Sequence, residues 1–219
     1  MSFVDIPAAH GKLEGLLWEV ASPRAAAIVC HPHPQHGGTM HNHVAYRIAR
    51  AFRDRAVAAL RFNFRGVGRS TGIYDEGRGE RQDAMLALDF LVERFPDVPA
   101  IAAGFSFGAR IALQLGVDDA RATKVLAVGL AMDLFDYGFV RNLARPAAFI
   151  QSENDEYGAV SKVRELVAQL RSPHQLFVVP GADHLCTGRL EQLEAAATEA
   201  VKWLLAVDDE PAHRVERQA

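Results

Sequence analysis

Gly104-Phe105-Ser106-Phe107-Gly108 reads G-x-S-x-G and falls where the apolar run Ala100 to Phe105 passes into a helix-forming stretch, Ala109 to Leu115. The flanking glycines lack a β-carbon, so a strand and a helix can approach closely around a sharp turn that exposes the serine hydroxyl. The N-terminal end of a helix beneath that hydroxyl favours developing negative charge. A serine is a poor nucleophile unless a base accepts its proton and a third group orients the base. Downstream of Ser106 the chain supplies both. His184 ends the turn Pro180-Gly181-Ala182-Asp183-His184 after the last apolar strand, and Asp155 leaves the preceding strand in the equivalent place. The set implies covalent acyl transfer, with Ser106 attacking, His184 carrying the proton and Asp155 holding the imidazole.

Other carboxylates compete for the third role. Asp133 follows the sixth strand and would also face such a site, Glu153 and Glu156 flank Asp155, and Asp183 adjoins His184. Neighbours on a tight loop point apart, which disfavours Asp183, and Asp155 is the favoured acid. The chemistry also needs donors for an oxyanion. The Phe107 amide is one, directly after the nucleophile. The second is expected from the loop His31-Pro32-His33-Pro34-Gln35-His36-Gly37-Gly38, where the prolines lack N–H groups and leave His33 as the donor between them, with Gln35 behind it.

Two features invite other chemistry. His31, His33, His36, His41 and His43 crowd one segment, yet no Cys or acidic residue lies among them and the prolines restrict convergence. Loop rigidity and backbone contacts explain them better than a metal. Gly66-Val67-Gly68 lacks the third glycine of a dinucleotide turn and the Lys-Ser/Thr of a P-loop, so it is expected to shape a turn rather than bind phosphate. No metal and no cofactor is expected.

The elements that must position these residues alternate between apolar β-rich runs and helical patterns, which implies a mostly parallel sheet covered on both faces. Strands are expected at Ser2–Ile6, Lys12–Val20, Ala25–Cys30, Val57–Phe64, Ala100–Phe105, Lys124–Leu130, Ala147–Gln151 and Gln175–Val179. The first two flank the turn His10-Gly11 and should start the sheet antiparallel. Runs such as Ala26-Ala27-Ile28-Val29-Cys30 are apolar throughout, as strands buried on both faces should be. Helices are expected at Asn42–Arg53, Glu80–Phe95, Ala109–Leu115, Val160–Leu170 and Arg189–Leu205; in the second, Ala84, Leu88, Leu91 and Phe95 form an apolar stripe. Residues 1–206 read as one α/β domain, and 207–219 as a charged, flexible tail.

Of the 219 residues, 49% are hydrophobic and 23% charged, a globular balance, and the formal net charge of −3 gives no broad reason for nucleic acid or anionic membrane binding. No apolar run reaches the length of a membrane span, and Met1-Ser2-Phe3-Val4-Asp5 does not open a secretion signal. A cytoplasmic protein acting on a small-molecule acyl substrate is the expectation. Cys30 and Cys186 are too few for a disulfide scaffold. Cys186 is expected near Cys30 at the end of the third strand, packing close to the site.

With these residues in place, the chain resembles the α/β-hydrolase superfamily over residues 1–206. More narrowly it is similar to a small lidless bacterial group of serine hydrolases, akin to dienelactone hydrolases and Xaa-Pro-peptidase-like proteins. The resemblance rests on the H-P-H-P-x-x-G-G loop at 31–38, on Arg61-Phe62-Asn63-Phe64-Arg65-Gly66-Val67-Gly68-Arg69-Ser70, and on the G-F-S-F-G elbow. The turns Asp155-Glu156-Tyr157 and Pro180–His184 complete it. It implies an eight-stranded sheet and the chain order Ser106, Asp155, His184 for the catalytic residues. Only Ala131 to Arg145 separate the sixth and seventh strands, enough for a short helix at Leu134–Leu143 but not for a cap domain. An open site follows, with Phe135, Tyr137 and Phe139 either lining its rim or pinning that segment to the core. The function expected is a serine carboxylesterase on short or soluble esters. A peptidase or thioesterase using the same residues, and a non-catalytic binding protein on the same fold, are the alternatives.

Overall fold

The computed structural model describes residues 1–207. The strands are β1 (Ser2–Ala8), β2 (Gly11–Trp18), β3 (Ala25–Cys30), β4 (Val57–Phe62), β5 (Ala100–Phe105), β6 (Ala122–Val128), β7 (Ala147–Ser152) and β8 (His174–Val179). The helices are α1 (His43–Arg53), α2 (Arg78–Arg94), α3 (Phe107–Asp118), α4 (Val160–Val167) and α5 (Leu190–Ala206). One eight-stranded sheet runs in the order β1-β2-β4-β3-β5-β6-β7-β8. β1 pairs antiparallel with β2 and β2 antiparallel with β4, while every later pairing is parallel. From β3 the chain steps outward to β4 and then returns to the other side of β3 as β5. Strand order reverses there, and a crevice opens beyond the carboxyl ends of β3 and β5, where ligands of such sheets bind.

The sequence explains the layering. All residues of β3, β4, β5 and β7 are buried, as expected for strands covered on both faces. Alternate side chains feed two cores. Ala26, Ile28 and Cys30 join the α2–α3–α4 side, whereas Ala25, Ala27 and Val29 join the α1–α5 side. In α2, Ala84, Leu88 and Leu91 are buried in the first core and Phe95 packs against it. The Asn42 side chain starts α1 by accepting the Val44 and Ala45 amides at 2.9 and 3.2 Å. Glu80 starts α2, accepting the Gly77 amide at 2.7 Å and the Asp75 amide at 3.0 Å.

Some expectations need correction. The segment 134–143 forms only a 3-10 turn, Gly138–Asn142, because Asp136 accepts the Gly138 amide while the aromatics on either side anchor in different places. Of those aromatics, Tyr137 is buried and Phe135 and Phe139 pack at the core edge, so Tyr137 lines no rim. α4 ends at Val167, where Gln169 and Leu170 tighten into bonds with Leu166 and Val167. Cys30 and Cys186 lie in the two different cores on opposite faces of the sheet, each with a free thiol. The expected tail at 208–219 lies outside the described residues. Among the described residues no helix is long and apolar enough to cross a membrane.

Candidate active site

Ser106 stands between β5 and α3 with φ 56° and ψ −116°, a left-handed conformation that costs a non-glycine residue free energy. Its neighbours explain how the turn is enforced. A β-carbon on Gly104 would lie 2.2 Å from the Gly108 carbonyl oxygen, and one on Gly108 would lie 2.3 Å from the Cys30 carbonyl oxygen. Only glycine at both places lets α3 pack this closely on the ends of β5 and β3. The Ser106 amide donates to Val128 at 2.9 Å, tying the turn to β6. The next amide, that of Phe107, is the first of α3 and has no hydrogen-bond partner among the described residues.

The loops after β7 and β8 bring a carboxylate and an imidazole to the same place. His184 Nδ1 lies 2.8 and 3.0 Å from the two Asp155 oxygens, and its Nε2 lies 2.9 Å from Ser106 Oγ. A carboxylate against Nδ1 places the ring proton there and leaves the Nε2 lone pair facing the serine hydroxyl, which donates to it. All three residues are buried, Ser106 to 8%, Asp155 to 7% and His184 to 5% exposure, so each bond is sheltered from competing water. The His184 ring is clamped by Phe105 at 5.0 Å and, edge-on, by Tyr157 at 4.9 Å.

Sequence reasoning missed the groups that aim these residues. Gln151, fully buried in β7, donates from Nε2 to Asp155 Oδ2 at 2.9 Å and to the Gly158 carbonyl at 2.7 Å; its Oε1 accepts the Leu130 amide at 2.8 Å. The Tyr157 amide donates to the other Asp155 oxygen at 2.9 Å. A signal was present: a lone amide side chain in the apolar strand Ala-Ala-Phe-Ile-Gln-Ser must find partners if buried. Glu156 accepts the His184 amide at 3.1 Å and Glu153 the Gly181 amide at 2.7 Å, so both acids latch the two loops together. Asp183 turns away and accepts the Thr187 amide at 2.7 Å, a bond that holds its carboxyl below the usual range. Asp133 does not meet His184; its exposed carboxylate pairs with Lys162.

The His31–Gly38 loop faces the same crevice from β3. His31 is wholly buried, donates from Nδ1 to the Pro32 carbonyl at 2.6 Å and accepts the Phe64 amide on Nε2 at 3.1 Å. Burial drives its pKa down to about 4, so the ring stays neutral and serves as a brace. The His33 carbonyl accepts the His36 and Gly38 amides at 3.1 and 3.0 Å, whereas the His33 amide has no partner among the described residues. The Gln35 amide is spent on His33 Nδ1 at 3.2 Å, which removes it as a reserve donor. His33 Nε2 lies 3.2 Å from the Tyr74 hydroxyl, and its ring packs 5.1 Å from that of Phe107.

Known proteins resemble this chain in sequence and in fold. A family model described as serine aminopeptidase, S33, matches residues 21–133. An uncharacterised protein of Rickettsia prowazekii (strain Madrid E) is 34% identical over 200 residues, covering 87% of this chain and 84% of that one. An α/β serine hydrolase homologue from Coxiella burnetii superposes with a TM-score of 0.83 at 33% identity, covering 90% of this chain and 96% of that one. An α/β serine hydrolase without a lid from Xanthomonas campestris gives a TM-score of 0.83 at 28% identity, over 94% and 96% of the two chains. The chain belongs to the α/β-hydrolase superfamily, among its serine hydrolases.

Proposed function

We propose that the protein is a serine carboxylesterase acting on short or soluble small-molecule esters through an acyl-enzyme. The observation that carries this reading is the buried line Asp155–His184–Ser106, with bonds of 2.8 and 2.9 Å ending on a serine at the head of a helix. Ser106 Oγ attacks the ester carbonyl while its proton passes to His184 Nε2. Asp155 stabilises the imidazolium, held in place by Gln151 and the Tyr157 amide. The amides of Phe107 and His33 receive the oxyanion. The imidazolium then protonates the leaving alcohol, and water repeats the sequence on the acyl-enzyme. Between β6 and β7 the chain forms only a 3-10 turn and carries no cap over the crevice, which suits short or soluble acyl groups.

Ser106 should react with a fluorophosphonate probe, and Ser106→Ala should abolish both labelling and turnover of a short p-nitrophenyl ester in folded protein. Undiminished turnover by the variant would overturn the mechanism, and an unreactive Ser106 in the wild type would favour a binding role. A peptidase reading is favoured by the description of the matching family model. Parallel assays on an ester, a thioester and a proline-containing peptide separate the three; the ester should have the highest kcat/KM.

A further inference from the structure

On the mechanism above, one step involves the departing alcohol. The carbonyl oxygen turns to the Phe107 and His33 amides, and the bond to the alkoxy oxygen breaks as that oxygen takes the proton from His184 Nε2. The alkoxy oxygen therefore comes within hydrogen-bond reach of Nε2, and the first carbons of the alcohol lie against whatever borders the imidazole. Two rings border it. Phe105, at 5.0 Å, is buried; Tyr157 stands edge-on at 4.9 Å and is 40% exposed, so it reaches from the imidazole to solvent. The acyl chain leaves the same carbon in the remaining tetrahedral direction and need not pass Tyr157.

Tyr157 does not stand alone. The loops after β6, β7 and β8 each carry one exposed large apolar side chain, Leu134 at 57%, Tyr157 at 40% and Leu185 at 56% exposure. The three strands are parallel neighbours, so their loops leave the same edge of the sheet. Hydrogen bonds lace the loops together at or beside these residues. The Asp133 amide donates to the Tyr157 carbonyl at 2.9 Å, and Glu156 accepts the His184 amide at 3.1 Å. None of the three side chains packs into either hydrophobic core, so the fold itself gives no reason for them to be apolar. Together they make an apolar rim that starts at the His184 imidazole. The His33 side is polar by contrast: His33 Nε2 meets the Tyr74 hydroxyl at 3.2 Å, and His36 stacks on His33 at 4.4 Å.

We propose that Tyr157, flanked by Leu185 and Leu134, is a specificity residue that holds the leaving group. The preferred substrates are then esters of apolar, unbranched alcohols with short acids. The proposal rests on the serine-hydrolase reading above and adds the chemistry of the alcohol to it.

The test compares two isomers, pentyl acetate and methyl hexanoate, by proton release at constant pH. They have the same atoms, but the chain lies on the alcohol in one and on the acid in the other. Each kcat/KM is divided by the hydroxide-catalysed rate of the same ester. It reports only the steps up to release of the alcohol, so hydrolysis of the acyl-enzyme does not enter. Wild type should favour pentyl acetate by about tenfold, as four methylenes partly covered by an open wall would give. Tyr157→Ser should bring the ratio of the isomers close to one, Leu185→Ser should lower it by about twofold, and Tyr157→Phe should keep it. Ile73→Ser, beside Tyr74 on the His33 side, should leave the ratio as it is. Equal use of the isomers by wild type would overturn the proposal, as would a preference for methyl hexanoate. So would a Tyr157→Ser variant that loses both isomers by one factor, because the ring would then only support the imidazole. Failure of Ser106 to take up a fluorophosphonate would instead remove the hydrolase reading itself.

Discussion

The described residues hold two lines of hydroxyl, imidazole and carboxylate. One is Ser106–His184–Asp155. The other joins the β1–β2 turn to α2: His10 Nδ1 lies 3.2 Å from Thr71 Oγ1 and His10 Nε2 lies 3.1 Å from Asp83. The residue types correspond, and the free valences do not. Thr71 Oγ1 already accepts the Lys12 amide at 2.7 Å and donates to the Lys12 carbonyl at 2.9 Å. Asp83 is committed to Arg65, accepting its Nη2 at 2.7 Å and its backbone amide at 2.8 Å. The second line is therefore closed at both ends and fastens the sheet edge to a helix. In the first, Ser106 Oγ touches only the imidazole among the described residues, and the amide that follows it, that of Phe107, is unpaired there. On the proposed mechanism, reactivity follows from what is left unbonded, not from the residue set.

Removing each hydroxyl breaks the comparison most directly. Ser106→Ala should lower ester turnover by about 10⁴-fold or more with little change in unfolding free energy. Thr71→Ala should leave turnover intact and cost about 1 kcal/mol in a denaturant titration. Comparable activity losses in the two variants would refute the distinction. The carboxylates come next. Asp155→Asn should cut kcat by about 10⁴-fold, because the amide favours the wrong ring tautomer. Asp83→Asn should instead cost about 3 kcal/mol of stability by stranding Arg65, with kcat preserved in the folded fraction.

The first line was legible in the sequence because its chemistry is local. A glycine-flanked serine at a strand–helix boundary, and His and Asp each just past an apolar run, are patterns of adjacent residues. β3 and β5 were readable to the residue for the same reason, being short apolar runs with abrupt ends. The second line joins His10, Thr71 and Asp83 across large sequence separations, and no local period records it. Gln151 was missed because its partners come from two other loops. Which face each cysteine occupies depends on strand parity for Cys30 and on a left-handed turn for Cys186, whose φ of 54° no residue type there announces.

His31 sharpens the contrast as an imidazole with no carboxylate, both nitrogens being committed to backbone groups. Its folded pKa falls from 6.5 to about 4, so the unfolded chain binds a proton that the folded chain refuses between those values. Stability is therefore full above pH 6.5 and lost as pH falls toward about 4, amounting to about 3 kcal/mol for this group. His31→Gln should be less stable at neutral pH yet show a shallower acid dependence of the denaturation midpoint. An unchanged slope would show that His31 is not the group that resists protonation.

The smallest effect is expected at Asp133, and it tests the choice of acid. Asp133 and Asp155 both follow parallel strands of the same sheet and both carry a carboxylate toward its carboxyl edge. Asp133 is 45% exposed and pairs with a Lys162 that is 50% exposed, an arrangement in which water screens the attraction. Asp155 has its charge enclosed by Gln151, the Tyr157 amide and His184. Asp133→Asn should therefore change stability by less than about 1 kcal/mol. It should also leave kcat within about twofold, as a surface substitution distant from the reacting atoms does. Should Asp133→Asn depress kcat as far as Asp155→Asn, the β6 loop would have to deliver its carboxylate to His184 during turnover, and the choice of Asp155 as the acid would fall.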